Sequence, residues 1–473
     1  MDRTVAYMTI LLVFTIWLIR ERNNLTYSKG VELLVGGYIF SCAFPRIQIP
    51  VYDLPFAQHW GTFLHTFKVM PYLALFPVFI VILAYQLDWK IQRPNIKVIL
   101  SFIAFFVYVI LNPFNVVTMS ALIPLFYIAI YFCFLKGLSE TISLRTIING
   151  VYRGLVWITG LNFVLAILFP VLGIRFATQI YFATAVVRSL ARAGAVGTFS
   201  HPNNLAVFMS YVYVFFVACW VVGFKKANSR KYAIIAAIVV FLSGSRSALL
   251  AITVSSIAIV ILYKFIHYNF FSSTIFLKVV APAAVGVTLL LTLTPLNDMF
   301  FGSDVDAQVI NRSMHYLCGF EIFSDHPIVG VGLNSHLKYL NDNVEINFND
   351  YFDSTSGFDF NNEFMFSSPI HNSWLIILCE TGLIGLIFTI YYVGRFLYKF
   401  KPRIRRSKSM YYTVVLVTTL GIFFNFIIHG NTDWAPLTIQ ELNISLLFIF
   451  LAANDSYGEN LEDEHIVYKT KLM

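Results

Sequence analysis

Of 473 residues, 58% are hydrophobic and only 12% are charged, with a mean hydropathy of +0.72. Soluble globular domains carry about twice that charged fraction, so this composition excludes one and indicates a polytopic membrane protein. The net charge of +8 does not indicate nucleic acid, because the basic residues lie in short clusters between apolar runs, where membrane topology alone would put them.

Apolar runs of about 20 residues, the length that carries an α-helix across a hydrocarbon core of about 30 Å, recur from end to end. Spans are expected at about 5–19, 31–45, 69–87, 98–112, 116–135, 152–172, 203–223, 232–244, 246–263, 279–294, 372–394, 411–428 and 437–452. The fold class is therefore all-α, with about 12–13 transmembrane helices. The run from Val5 to Ile19 is followed by Arg20-Glu21-Arg22-Asn23 without a small-residue cleavage site, and reads as a retained helix. Cys42, Cys133, Cys219, Cys318 and Cys379 show no paired spacing, so neither a disulfide framework nor a metal site is expected.

Most Lys and Arg fall in alternate loops, such as Lys90/Arg93/Lys97, Lys225/Lys226/Arg230/Lys231 and the series from Arg395 to Lys408. That bias makes those loops cytoplasmic. The opposite set is then extracytoplasmic: a loop from about Gly173 to Pro202, and a large polar loop over 296–369. The organisation reads as N-terminal membrane helices over 1–295, the large loop over 296–369, C-terminal membrane helices over 370–453 and a cytoplasmic tail over 454–473. Arg46 to Lys68, rich in Pro and aromatics with His59 and His65, reads as a segment lying at the headgroup level.

Four stretches could carry chemistry. Arg192 stands on a short external loop ending in Gly197-Thr198-Phe199-Ser200-His201-Pro202-Asn203, with Asn203 the expected N-cap of the next helix. Arg246, in Ser243-Gly244-Ser245-Arg246-Ser247-Ala248, sits where two apolar runs meet. An arginine there costs on the order of 2.5–3.5 kcal/mol at a helix centre, so it should face a wet cavity or an anion. Arg312 is one of two cations, with Lys338, in an otherwise acidic loop. Finally, Ser367-Ser368-Pro369-Ile370-His371-Asn372-Ser373 reads as a helix start, with Ser368 at N-cap, Pro369 at N1 and His371 in the first turn. Guanidinium groups suit phosphate oxygens, and a histidine beside them and a helix N-terminus should stay neutral and able to accept a proton. Glu380 would lie about 13 Å deeper on the same helix and needs a partner that the sequence does not reveal.

The sequence contains no P-loop, no Gly-rich dinucleotide fingerprint and no metal-ligand cluster. An enzyme with cationic groups on the outer face needs a substrate that arrives already activated, and lipid-linked diphosphates fit that requirement.

In this pattern the chain resembles the bacterial O-antigen ligase and O-antigen polymerase superfamily, with its GT-C-like architecture. The matching stretches are Arg192 through Asn203, Ser245 to Ala251, Arg312 with Pro327-Ile328-Val329-Gly330-Val331-Gly332, and His371-Asn372-Ser373-Trp374-Leu375 through Glu380-Thr381-Gly382-Leu383-Ile384-Gly385-Leu386. The resemblance implies a metal-independent, inverting glycosyltransferase that uses an undecaprenyl-diphosphate-linked glycan donor and a glycan acceptor at the outer face of the cytoplasmic membrane. It implies diphosphate binding by Arg192, Arg246 and Arg312, and activation or positioning of the acceptor hydroxyl by His371. No cofactor and no metal are implied. The implied partners are the lipid bilayer, a flippase and a chain-length regulator, with no nucleic acid. The acidic large loop favours a polymerase of a surface or capsular polysaccharide over a ligase that hands a finished glycan to a lipid or protein. Transport of the same lipid is a third reading, disfavoured by the absence of repeat symmetry between halves. The loop aromatics Tyr316, Tyr339, Tyr351, Phe352 and Phe360 are candidate sugar platforms.

Overall fold

A computed structural model describes residues 27–43, 49–53, 66–69, isolated positions between 100 and 135, and 142–181, 194–199, 201–268, 304–346, 369–433, 435–437 and 439–454. Among these the chain is helical: α1 (Tyr27–Ser41), α2 (Leu144–Tyr181), α3 (Pro202–Val222), α4 (Lys226–Leu242), α5 (Arg246–Tyr268), α6 (Asp304–Asp325), α7 (His336–Asn343), α8 (Ser373–Arg406), α9 (Met410–Gly430) and α10 (Ile439–Ala453). A short antiparallel ribbon, β1 (Ile49–Asp53) with β2 (Thr66–Val69), lies within the segment expected at the headgroups. Four described helices are long and apolar enough to cross a membrane: Leu144–Leu168, Pro202–Val222, Ser373–Arg406 and Met410–Gly430. The expected spans at 5–19, 69–87 beyond Val69, 116–135 apart from Leu135, and 279–294, and the tail over 455–473, lie outside the described residues. The external loop expected to begin near Gly173 begins later, because α2 runs on to Tyr181.

Between membrane helices apolar burial supplies little drive, so close packing must hold them together. Glycine provides it at two crossings. Gly150 and Gly154 on α2, four residues apart, receive α1: a Cβ at Gly154 would lie 2.5 Å from the Gly36 carbonyl oxygen. At Gly421 of α9 a Cβ would lie 2.5 Å from Val214 of α3 and 2.6 Å from Ile259 of α5. Helix α3 is apolar on every side and is buried almost throughout, as expected of a helix at the bundle centre.

Chain direction then fixes which ends meet. Helix α3 ends at Gly223, whose φ of 97° provides the left-handed cap, and α4 returns antiparallel to it. A tight hairpin through Ser243-Gly244-Ser245, with Gly244 at φ 72°, sends α5 back again. The start of α8 packs on the end of α9, where Trp374 borders Gly430. One end of the bundle therefore gathers the N-termini of α3, α5 and α8 and the C-termini of α4 and α9.

The polar loop has its own small core. Met314, Cys318, Ile322, Val331, Leu337, Leu340 and Ile370 pack with Leu375, Ile376 and Cys379 of α8. Gly319 permits that contact, since a Cβ there would lie 2.4 Å from Leu375, and the Cys379 thiol donates to the Gly319 carbonyl at 3.1 Å.

Candidate functional site

Helix α8 starts later than the sequence suggests. Its N-cap is Asn372, extended at φ −156° and ψ 110°, whose side-chain oxygen accepts from the N–H groups of Trp374 and Leu375, both at 3.0 Å. Pro369 is therefore not the first helical residue, Ser368 lies outside the described residues, and His371 precedes the cap instead of standing in the first turn. An Asn side chain satisfies two orphan N–H groups at once, which is why the helix begins there.

The start of α3 corrects a second expectation. Its N-cap is His201, whose Nδ1 accepts from the Asn203 N–H at 3.2 Å, with Pro202 at N1. Asn203 is thus not the cap. Its side-chain amide instead donates to Oδ2 of Asp433 at 3.2 Å.

Asp433 is the residue that the sequence reading missed. It follows α9, is 4% exposed, and its backbone is fixed on both sides: its N–H donates to the His429 carbonyl at 2.8 Å and its carbonyl accepts from the Ser373 hydroxyl at 2.9 Å. Its other carboxylate oxygen, Oδ1, lies 3.9 Å from Nδ1 of His371. The carboxylate thus sits between the N-termini of α3 and α8, whose dipoles suit an anion. No local motif marks Asp433; only its position, after the next apolar span, could have drawn attention to it.

Arg312 and His315, one helical turn apart on α6, also act on His371, Arg312 through its charge and His315 by contact. The His315 and His371 rings meet edge to face at 4.7 Å. Burial lowers the His371 pKa from its ordinary value; Asp433 pulls it back up, and the Arg312 charge lowers it further. The neutral imidazole expected from the sequence is retained, but burial outweighs the arginine as its cause. His315 is buried as well, and burial with the neighbouring His371 and His336 charges pushes its pKa down to about 3. His371 itself keeps 28% of its side chain exposed, so one side of the ring is open to a substrate.

Arg246 is the first residue of α5 and is partly buried. It therefore stands at the same bundle end as His371, on a hairpin held by the loop before α3. The Ala195 N–H donates to the Leu242 carbonyl at 2.9 Å, and a Cβ at Gly194 would lie 2.2 Å from the Ser243 carbonyl oxygen. That loop is in turn tied to α2, because Asn162 accepts from the Thr198 N–H at 2.8 Å under Gly197, at φ 52°. Arg192 lies outside the described residues. Of the expected set, Arg312 and His371 are neighbours and Arg246 shares their end of the bundle.

Glu380 has the partner that the sequence could not name. Its Oε1 lies 2.6 Å from Nδ1 of His336, a side chain with no exposed surface. The pair pins α7 to α8. Gly382 breaks α8, at φ 61° and ψ −166°. The Pro327–Gly332 turn fills the break: Val331 and Gly332 donate to the carbonyls of Cys379 and Glu380, at 2.9 and 3.0 Å. Leu383 and Ile384 donate to those of Pro327 and Ile328, at 2.9 and 3.2 Å. Two loop aromatics have structural partners: the Tyr316 hydroxyl donates to the Asn431 carbonyl at 2.8 Å, and Tyr339 bonds Asp325 and His326. Tyr351, Phe352 and Phe360 lie outside the described residues. Among the described residues, no three His, Cys, Asp or Glu side chains are grouped to hold a metal ion.

Residues 232–390, which contain Arg246, Arg312 and His371, match the family model described as O-antigen ligase. No curated protein matches the chain.

Proposed function

We propose that this chain, whose residues 232–390 match the O-antigen ligase family model, is a glycosyltransferase that polymerises lipid-diphosphate-linked oligosaccharide repeats of a surface polysaccharide. The observation that carries this reading is the position of His371, partly exposed, within 3.9 Å of the Asp433 carboxylate and within electrostatic reach of Arg312.

In this reading the acceptor hydroxyl gives its proton to the neutral His371 imidazole as its oxygen attacks the anomeric carbon. Asp433 orients the ring and stabilises the imidazolium as it forms. The bond from the anomeric carbon to the diphosphate oxygen breaks on the opposite face, which inverts the centre, and the electron pair leaves with the diphosphate. Arg312 and Arg246, with Arg192, offset that developing charge, most effectively in a site poor in water. No step requires a metal. The site faces the outer side of the cytoplasmic membrane, where the undecaprenyl carrier presents its glycan.

The matched family, O-antigen ligase, favours one second reading, a ligase that transfers a finished glycan to a lipid or protein. Deleting the protein from its host and examining the surface glycan separates the two: single repeats accumulating on carrier lipid mark a polymerase, and long unattached chains mark a ligase. Purified protein in vesicles with lipid-linked repeats should extend chains with EDTA present. Transfer that stops with chelator and returns with a divalent metal overturns the metal-free mechanism.

A further inference from the structure

The turn Pro327-Ile328-Val329 belongs to the polar loop, yet it is surrounded by apolar surface. Ile328 is 63% exposed and Phe320, at the far end of α6, is 58% exposed. Ile328 lies beside the outward face of α8, bonded to Ile384 through its carbonyl, where Leu383, Ile384 and Ile387 are 44%, 45% and 65% exposed. In water this would be a costly surface; against acyl chains it costs nothing.

Depth can be bounded from α8 itself. The helix of 34 residues is longer than a bilayer core requires, and its basic end begins at Arg395 and Lys399. With a hydrocarbon boundary at either residue, a core of about 30 Å and a rise of about 1.5 Å per residue, Gly382 lies roughly 5–10 Å inside the opposite boundary. The turn that hydrogen-bonds across the break at Gly382 must lie at the same depth.

The carbonyls of the turn are satisfied as that depth demands. Four consecutive carbonyls are taken within the protein: Pro327 and Ile328 by the N–H groups of Leu383 and Ile384, and Val329 and Gly330 by the Asn112 amide, both at 3.1 Å. The Tyr108 hydroxyl also reaches the Val329 carbonyl at 3.0 Å. A turn in water needs none of this, because water would serve those carbonyls. Non-helical backbone at membrane depth is tolerated only where it is turned toward protein or a wet cavity, and these carbonyls are turned toward α8, Asn112 and Tyr108.

We infer that Pro327–Val329 is a re-entrant tip of the polar loop, inserted into the bilayer beside α8, with Ile328 and Phe320 in contact with lipid acyl chains. The loop that carries Arg312 is thereby anchored to the membrane as well as to the helix that follows His371. This inference does not depend on the glycosyltransferase reading.

Cysteine substitution in the full-length protein tests it. Ile328→Cys and, as a control on the exposed surface after α7, Glu345→Cys are treated in intact membranes with a membrane-impermeant maleimide, against the unsubstituted chain. Both side chains are exposed, so neither change removes packing. Glu345→Cys should react at once and Ile328→Cys only after detergent is added. Equal labelling of the two in membranes overturns the inference. A nitroxide at position 328 then identifies what protects it: collision with oxygen but not with a water-soluble nickel chelate supports lipid contact, and protection from both means burial in protein and overturns the proposal.

Discussion

The two helices whose starts meet at Asp433 each have a histidine at or beside the cap, and they use it in opposite ways. At the start of α3, His201 is the cap: its Nδ1 is occupied by the Asn203 N–H. At the start of α8, Asn372 takes over the capping, and the histidine before it is released to face a carboxylate. Both starts converge on Asp433, α3 through the Asn203 amide and α8 through the His371 ring. A single residue of offset between cap and histidine thus separates a ring nitrogen spent on capping from one that faces a carboxylate. The direction of the pKa shift would not distinguish them, since it is downward for both.

The largest test of that difference is His371→Ala, which should reduce glycan transfer by about two to four orders of magnitude, the usual contribution of a general base. His201→Ala should retain most activity; equal losses in the two variants would erase the distinction. Asp433→Asn keeps the shape but removes the charge facing His371. A charge-assisted contact is worth about 1.5–3 kcal/mol, so transfer should fall by roughly tenfold to a hundredfold, with the amount of protein in the membrane unchanged.

The pH profile sharpens the comparison. In the proposed mechanism His371 is the neutral base, and its pKa is lowered from 6.5, so activity should persist as pH falls through 6.5 and be lost only below it. Removing the like charge in Arg312→Gln should move that acid limb upward, while residual transfer falls through weaker diphosphate binding. An unmoved limb would mean that the Arg312 charge does not reach the ring. The smallest effects concern the caps: Asn372→Ala and His201→Ala should each cost about 1 kcal/mol of stability, read as thermal unfolding in detergent. Only Asn372→Ala should also slow transfer, because it alone loosens the segment that carries His371.

The same contrast shows where sequence reasoning stopped. Composition placed the spans well because an apolar run of sufficient length has few alternatives in a bilayer: the expected 203–223, 246–263 and 411–428 correspond to α3, α5 and α9. Arg246, Arg312 and His371 were legible because charged or titratable groups stand out beside apolar sequence. Cap positions were not. Ser-Pro and Pro-Asn are both good local starts, and tertiary partners for Asn203 and Asn372 decided between adjacent choices. The break at Gly382 was equally hidden, since a glycine in an apolar run reads as a packing contact until a second segment is seen to supply its hydrogen bonds.

The amino-acid sequence by itself determined that this is a helical membrane protein with cationic groups and a histidine around one polar loop, because hydropathy and charge are properties of residues taken singly. The fold alone decided that Asp433 joins His371, that His336 pairs with Glu380 and that the Pro327–Gly332 turn completes a broken helix. Each of these joins groups at least 44 residues apart, and no local pattern records a contact made only when helices pack.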